Sequence, residues 1–495
     1  MTREQGVTRV VIAGGGTAGW LAAAALTRQL RGQVAVTLVE SDEIGTIGVG
    51  EATIPTIRAF HALLGLDENA FLRAAKASFK LGIQFEGWAR EGDSYIHSFG
   101  ALGRGTWMAE FHHMWLEAHA QGFGGELSAA CAEHEAARAE RFATDENGSL
   151  NYAYHLDAGL YARALREQAE AQGLVRIEGR IARVERDGAS GDIAALVLED
   201  GARVAGDLFL DCTGFRALLI EGEMQAGWED WSHWLPTNRA LAMQTRAVGP
   251  AVPYTRAIAH DAGWRWQIPL QHRVGNGLVY ASDFLSDDEA RHRFLGLVEG
   301  EPLIEPRLIR FTTGRRKRVW VNNCIALSLA SGFVEPLEST SIHLTMIAIT
   351  RLLQLFPFNG STPALARRFD DLAQRELERV RDFVMLHYVL NQRPEPFWQR
   401  MREMELPASL TERIAVWREA AHAWQGADDL FRVDSWVQVM LGQRLEPEGH
   451  HHVARLMPPE RLRQALADMQ AATAATVAKL PTHQQYLDRH GGVAA

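Results

Sequence analysis

Arg9-Val10-Val11-Ile12-Ala13-Gly14-Gly15-Gly16-Thr17-Ala18-Gly19-Trp20 is the stretch whose reading decides the fold. A short apolar strand runs into GxGxxG, and the Ala-rich segment from Trp20 to Leu30 then reads as a helix. The motif carries meaning in this strand–turn–helix context. Gly14 permits the tight turn, Gly16 lets backbone approach a pyrophosphate, and Gly19 lets helix and strand pack closely. Thr17 and Ala18 lie where a helix start leaves unpaired N–H groups that favour an anion. A second strand, Val34 to Val39, ends at Glu40. That acid lies roughly 20 residues beyond the glycines, where a carboxylate binds the ribose hydroxyls of an adenosine.

Two further stretches point to FAD rather than NAD. Gly45-Thr46-Ile47-Gly48-Val49-Gly50-Glu51-Ala52-Thr53-Ile54-Pro55 is a glycine-rich loop directly after the second strand, which adds Gly50 and Ala52 to the candidate cofactor contacts. Much later, Asp207 to Arg216 reads as a strand ending in Asp211-Cys212-Thr213-Gly214, adding Asp211 and Gly214. A return to the nucleotide site after a long excursion is the habit of FAD-binding, monooxygenase-like chains. The expected fold is α/β: a Rossmann-like FAD-binding domain with a β-sheet substrate region and a helical C-terminal domain. Residues 1–360 are expected to form the FAD box, with inserted substrate-lining segments at about 80–150 and 230–300, and 361–495 a mainly helical lid region.

Composition bounds the reading. At 495 residues the chain needs two or three packed units, because single cores stop growing near ~250–300 residues. Hydrophobic residues at 47% with 23% charged are ordinary for a globular protein. The net charge of −10 argues against general binding to nucleic acid or anionic membranes. Cys131, Cys212 and Cys324 are too widely spaced for a disulfide framework or zinc motif, and fit a reducing cytoplasm. No leader and no membrane-spanning run is expected, since Gly14-Gly15-Gly16 breaks the apolar start. Fourteen tryptophans suggest aromatic-lined cavities.

Four other stretches carry candidate chemistry. Glu335-Pro336-Leu337-Glu338-Ser339-Thr340-Ser341 separates an expected strand (Ile325 to Leu329) from an expected helix (Ile342 to Phe356). Its hydroxyl residues are helix-capping types, so the turn can hold an anion beside the carboxylate of Glu338. Lys80 lies in the apolar Phe79-Lys80-Leu81-Gly82, where a lysine by itself reads as a surface residue snorkelling past its neighbours. In Gly263-Trp264-Arg265-Trp266-Gln267-Ile268-Pro269, alternation puts Trp264, Trp266 and Ile268 on one strand face. A partner strand, Leu278 to Ser282, is expected across a turn at Arg273 to Gly277. The stretch from Tyr95 to Arg141 is rich in rings, among them His97, Phe99, His112 and His113. Adjacent histidines do not face one way on a helix, and His450-His451-His452 reads as a solvated run, so no metal site is expected. Tyr152 to Gly173 and Leu365 to Leu390 read as helices.

Together these motifs resemble the flavin-dependent tryptophan halogenase family over nearly the whole chain. The resemblance rests on G-x-G-x-x-G-W at Gly14 to Trp20, Gly48 to Thr53, F-K-L-G around Lys80, WxWxIP at Trp264 to Pro269, and P-L-E-S-T at Pro336 to Thr340. It implies that Lys80 and Glu338 are catalytic. It also implies that Trp264, Trp266, Ile268 and Pro269 wall a tunnel, and that Thr340 and Ser341 cradle a halide. His97, Phe99, Pro336 and Trp436 would meet the aromatic substrate, with Leu337 and Ile342 beside the flavin. FADH2 would come by diffusion from a separate NAD(P)H-dependent flavin reductase. A homodimer is one option for the assembly.

The chemistry of these residues agrees with the resemblance. Reduced flavin with oxygen supplies the oxidant, and a halide becomes hypohalous acid, which needs guiding to Lys80. Lys80 either donates a hydrogen bond to it or forms a haloamine. Glu338 can stabilise a cationic ring intermediate and remove its proton. Two departures redirect the specificity. Ser341 stands where the family usually has glycine, and Asp434-Ser435-Trp436-Val437-Gln438-Val439 lacks the family's tyrosine pair. The expectation is therefore halogenation of indole over tryptophan, and bromide over chloride. The alternatives are an aromatic monooxygenase, which would not need Lys80 or Glu338, and a flavin-binding protein without chemistry.

Overall fold

Strand Arg9–Ala13 is the centre from which the first half of the molecule is built. In the computed structural model, which describes residues 6–43, 50–144 and 150–490, the chain divides into two units. The first comprises Met1–Lys76, Leu156–Pro236 and Phe311–Glu378. The second comprises Ala77–His155, Thr237–Arg310 and Arg379–Ala495.

In the first unit, Arg9–Ala13 is flanked by parallel strands Leu208–Asp211 and Ala35–Glu40 in a six-stranded sheet. Val175–Glu178 extends one edge in parallel. Cys324–Ala326 extends the other in parallel and Trp320–Val321 closes it antiparallel. The central strands are apolar without alternation and almost wholly buried, as a parallel sheet covered on both faces requires. The apolar core against it includes Val11, Phe209, Leu219 and Ile220. Helix Thr17–Gln29 carries the small residues Ala22 to Ala25 on buried positions, so it can lie close. The strand expected at Ile325 to Leu329 is shorter: Cys324–Ala326 gives way to a 3-10 turn at Ser328–Ala330. Helix Ser341–Gln354 follows the Glu335–Thr340 turn.

The second unit is built on a seven-stranded sheet, ordered Arg307–Arg310, Arg239–Arg246, Arg273–Tyr280, Gly263–Pro269, Tyr254–His260, Gly82–Glu86, Ser94–Ser98. All neighbours are antiparallel except Tyr254–His260 with Gly82–Glu86. Pairing of Trp266 with Gly277 places the expected turn residues Arg273 to Gly277 inside a strand. The turn falls instead at Leu270 to His272. Gly277 is there for a different reason: a Cβ would meet the Trp266 ring at 1.9 Å. Helices Phe111–Ala120, Ala408–Ala420, Val433–Gly442 and Pro459–Ala478 are among those of this unit.

One helix expectation and one loop expectation shift. Tyr152 to Gly173 starts with strand Ala153–Leu156, and the helix Ala158–Ala171 begins after Asp157, whose carboxylate caps Leu160 N–H at 3.0 Å. The run His450-His451-His452 is not simply solvated, since His450 Nε2 lies 2.7 Å from Glu117 Oε2 and His451 N–H donates to His113 Nδ1. Among the described residues no helix is long and apolar enough to cross a membrane.

Candidate functional site

The glycine turn of the first unit has the form that phosphate binding needs. Gly14 takes φ +104°, and a Cβ there would lie 2.4 Å from the Cys212 carbonyl oxygen. A Cβ on Gly19 would meet the Gly14 carbonyl at 1.9 Å, so the close helix–strand approach excludes any side chain. Gly16 differs: a Cβ there meets nothing within 4 Å. Gly16 is the N-cap of helix Thr17–Gln29, and no side chain caps it. Open space before uncapped N–H groups is a cradle for an anionic group. Gly214, at φ +68°, also faces open space. The residues present therefore fit the pyrophosphate of FAD, with Thr17 and Ala18 at the helix start.

Glu40 ends its strand beside this turn, accepting from Arg176 Nε at 2.7 Å. Its Oε2 lies over Gly15, where a Cβ would be 1.4 Å away. Neither partner is visible in the motif itself, since Gly15 is a free position of GxGxxG and Arg176 lies far along the chain. Asp211 is fully buried and its carboxylate is occupied: Oδ1 accepts from Thr213 N–H and Oγ1, and Oδ2 from Leu219 and Ile220 N–H. Its visible work is to fold the turn that presents Gly214. Gly50 takes φ +133° and Ala52 is buried, whereas Gly45-Thr46-Ile47-Gly48-Val49 of the same loop lies outside the described residues. Glu51 follows, its carboxyl pushed up to about 7 by burial.

The turn before helix Ser341–Gln354 is strained. Glu335, Glu338 and Ser339 take φ of +67°, +67° and +58°. Such conformations cost non-glycine residues of order ~1–3 kcal/mol each and persist only where the surroundings impose them. Glu338 is 2% exposed, unlike the exposed acid that a capped turn alone would carry. Thr340 stands at the helix N-terminus as expected, but as N-cap it makes no side-chain cap bond. Leu337, Thr340 and Ile342 are buried, and Ser339 N–H donates to the Pro336 carbonyl at 3.2 Å. Thr340 and Ser341 line a cavity shared with Phe333, Glu335 and Arg351, the last paired with Glu376 at 2.9 Å.

The second unit gathers the aromatic candidates. Lys80 ends strand Ser78–Lys80 and is fully buried, not snorkelling. Its Nζ lies 5.3 Å from the Phe99 ring centroid. Just past the ends of strands Ser78–Lys80 and Ser94–Ser98, Phe99 N–H donates to the Leu81 carbonyl at 2.9 Å. Two residues before Lys80, Ser78 Oγ donates to the Pro269 carbonyl at 2.6 Å, which ties the WxWxIP strand to the lysine's strand. His155 opposite Ser78 is held well below the usual histidine range, first by burial and then by the charges of Lys80 and His483. Trp264, Trp266 and Ile268 are buried together, with the two indole rings 6.0 Å apart.

His97 and Trp436 meet through rings that local pattern does not single out. His97 lies 5.5 Å from Phe383, and Phe383 stands edge-on to Trp436 at 4.9 Å. Phe431 stacks on Phe383 at 3.6 Å and 14°. Gln438 clamps the neighbouring strand, accepting from Ser98 N–H and Oγ at 2.9 Å each. In the sequence Phe383 is only one position of a helical apolar stripe. Lys80 belongs to the second unit and Glu338 to the first. No group of metal-ligating residues occurs among the described residues.

The tryptophan halogenase family model matches residues 9–459. A tryptophan 7-halogenase, RebH of Lentzea aerocolonigenes, is 36% identical over 83% of this chain and 82% of its own length. Among solved structures, Xcc4156, a flavin-dependent halogenase from Xanthomonas campestris, is 52% identical with a TM-score of 0.97, covering 98% of this chain and 99% of that one. BrvH, a flavin-dependent halogenase from Brevundimonas sp. BAL3, is 42% identical with a TM-score of 0.94 over 98% and 99%. The chain belongs to the tryptophan halogenase family. It is a flavin-dependent halogenase, an oxidoreductase with a Rossmann-type FAD-binding fold that uses FADH2 and halide, with a separate reductase.

Proposed function

We propose that this enzyme brominates, and less readily chlorinates, an electron-rich aromatic such as indole in preference to free tryptophan. The observation that carries this reading is Lys80, a fully buried amine whose Nζ faces the Phe99 ring, in the unit that also holds the His97–Phe383–Trp436 cluster. A fully buried lysine beside an aromatic ring is a candidate for a catalytic task. Bound reduced flavin, with oxygen, supplies the oxidising power that converts halide to hypohalous acid.

The chain's own residues do the rest. Gly14, Gly16, Thr17, Ala18, Gly19, Glu40, Gly50, Ala52, Gly214, Leu337 and Ile342 hold the FAD, and Asp211 orders the Gly214 turn. Thr340 and Ser341 offer backbone N–H groups to the halide. Trp264, Trp266, Ile268 and Pro269 separate flavin from substrate. Lys80 receives the hypohalous acid and directs its halogen to the ring. Glu338 stabilises the cationic ring and takes its proton. His97, Phe99, Pro336 and Trp436 hold the substrate. An NAD(P)H-dependent reductase delivers FADH2 by diffusion, and three buried, unlinked thiols suit a reducing cytoplasm.

The preference for indole follows from desolvation. A tryptophan zwitterion must shed water from two charges, and an unpaired buried group costs ~1–3 kcal/mol or more. Asp434 to Val439 contains no tyrosine to replace that water. A competition between equal indole and tryptophan, with bromide and a flavin reductase, should yield mainly bromoindole by mass spectrometry. Faster conversion of tryptophan would refute the reading.

A further inference from the structure

We propose that Phe431 is a specificity-determining residue, held over the aromatic cluster by an ion-paired loop. This rests on the preceding reading that the cluster receives the substrate ring. Phe431 lies next to last in the segment between helices Ala408–Ala420 and Val433–Gly442. It is 7% exposed, stacked on Phe383 at a centroid distance of 3.6 Å and 6.2 Å from His97. One uncharged ring therefore touches both His97 and Phe383, the ring against which Trp436 stands edge-on.

The loop that carries Phe431 is pinned from outside. Asp429, with a side chain 3% exposed, forms an ion pair with Arg413 and lies 3.3 Å from Arg379 Nε. Arg413 Nη1 also donates to the Trp424 carbonyl at 2.8 Å. Its guanidinium lies 4.3 Å from the Trp436 ring and 4.5 Å from that of Trp424. The same arginine thus fixes the loop at two points and packs on a ring of the cluster. Its charge and that of Asp429 are committed to each other, so neither offers a ready partner for a substrate carboxylate or ammonium. Phe383, Phe431 and Trp436 are buried uncharged rings beside His97. A substrate site walled by them suits a flat, uncharged arene and penalises an amino-acid side arm, whose charges would lose water against hydrocarbon.

The reaction thereby gains a positioning device in Asp429 and a selectivity filter in Phe431. The test measures kcat and KM for indole, tryptamine and tryptophan in the full-length enzyme with FAD and reductase. Phe431→Ala should raise KM for indole several-fold and lower the indole-to-tryptophan ratio of kcat/KM at least fivefold. Phe431→Tyr, which keeps the stack, should retain the wild-type KM for indole. Asp429→Asn should move the ratio the same way by a smaller factor, with FAD binding unchanged. A ratio within twofold of wild type in Phe431→Ala would overturn the inference. Should that variant fail to fold, Phe431→Leu replaces it with the same criterion, since leucine keeps bulk and loses the stack. A wild-type enzyme that favours tryptophan would instead refute the substrate reading beneath it, so the two failures are separable.

Discussion

The glycine cradle of the first unit and the aromatic cluster of the second are made from different material. At Gly14 to Gly19 the working surface is backbone, supplied by one turn and defined by where a Cβ cannot go: 2.4 Å from Cys212 O at Gly14, 1.9 Å from Gly14 O at Gly19. At His97, Phe383, Phe431 and Trp436 it is side chains, brought together across as many as 340 positions of sequence, as in the Ser98–Gln438 bond beside them. A backbone site tolerates few sequences and so announces itself. A side-chain site can exchange one ring or polar group for another without disturbing the strands beneath it. Cofactor binding should therefore be the fixed property of this enzyme, and substrate choice the variable one.

The sharpest way to separate the two regions is to abolish product formation from each side. Lys80→Ala should eliminate halogenated product while leaving bound FAD at wild-type stoichiometry, because the lysine belongs to the unit that lacks the glycine cradle. Normal product yield in that variant would remove Lys80 from the mechanism. Gly16→Val should give the opposite pattern of causes, with product lost because FAD is not bound. Gly16 has φ −72°, which valine can adopt, and its Cβ would meet no atom of the chain within 4 Å. The protein should then fold with an ordinary thermal midpoint and lack flavin absorbance. Stoichiometric flavin in purified or reconstituted protein would show that the cradle lies elsewhere.

A smaller effect is expected from Glu338→Gln. Glutamine keeps the shape and the strained φ of +67°, so the change isolates the carboxylate. Loss of a general base lowers rates by roughly 10²–10⁴. A drop of two decades in kcat, with FAD binding intact, is the expected result. An unchanged rate would make Glu338 a structural acid of a tightly folded turn.

The same contrast explains what the sequence makes legible. The Rossmann core follows from contiguous signals: a strand, three glycines, a small-residue helix and an acid at the next strand end. Lys80, Glu338 and the tryptophan wall are legible through the resemblance of short motifs. The burial of Lys80 and Glu338 is not, since a lone lysine among apolar residues reads as a surface side chain and a capped turn as carrying an exposed acid. The turn between Gly263–Pro269 and Arg273–Tyr280 lies earlier than expected because Gly277 has the look of a turn residue. Its glycine instead makes room for the Trp266 ring on the neighbouring strand. Phe431 and Phe383 give no local signal, because a stacked pair from distant elements leaves no spacing in the sequence. Asp211 is recognisable as part of its motif, but its four backbone and hydroxyl donors are seen only in three dimensions.

The smallest expected effect lies at the helix start beside Glu338. Ser341 occupies the position where the family usually has glycine, directly after the N-cap Thr340. A side chain there would leave an imperfect pocket for an anion at the backbone N–H groups, for which no side-chain cap bond competes. Chloride keeps its hydration shell more tightly than bromide and is harder to oxidise, so an imperfect pocket penalises chloride more. Bromide turnover should exceed chloride turnover several-fold in the wild-type enzyme at equal halide concentration. Ser341→Gly should narrow that ratio by improving the KM for chloride, with little change for bromide. The ratio is measured from initial rates of indole halogenation in each halide separately. Chloride turnover that matches or exceeds bromide in the wild type would refute the preference, and a ratio unmoved by Ser341→Gly would detach it from this pocket.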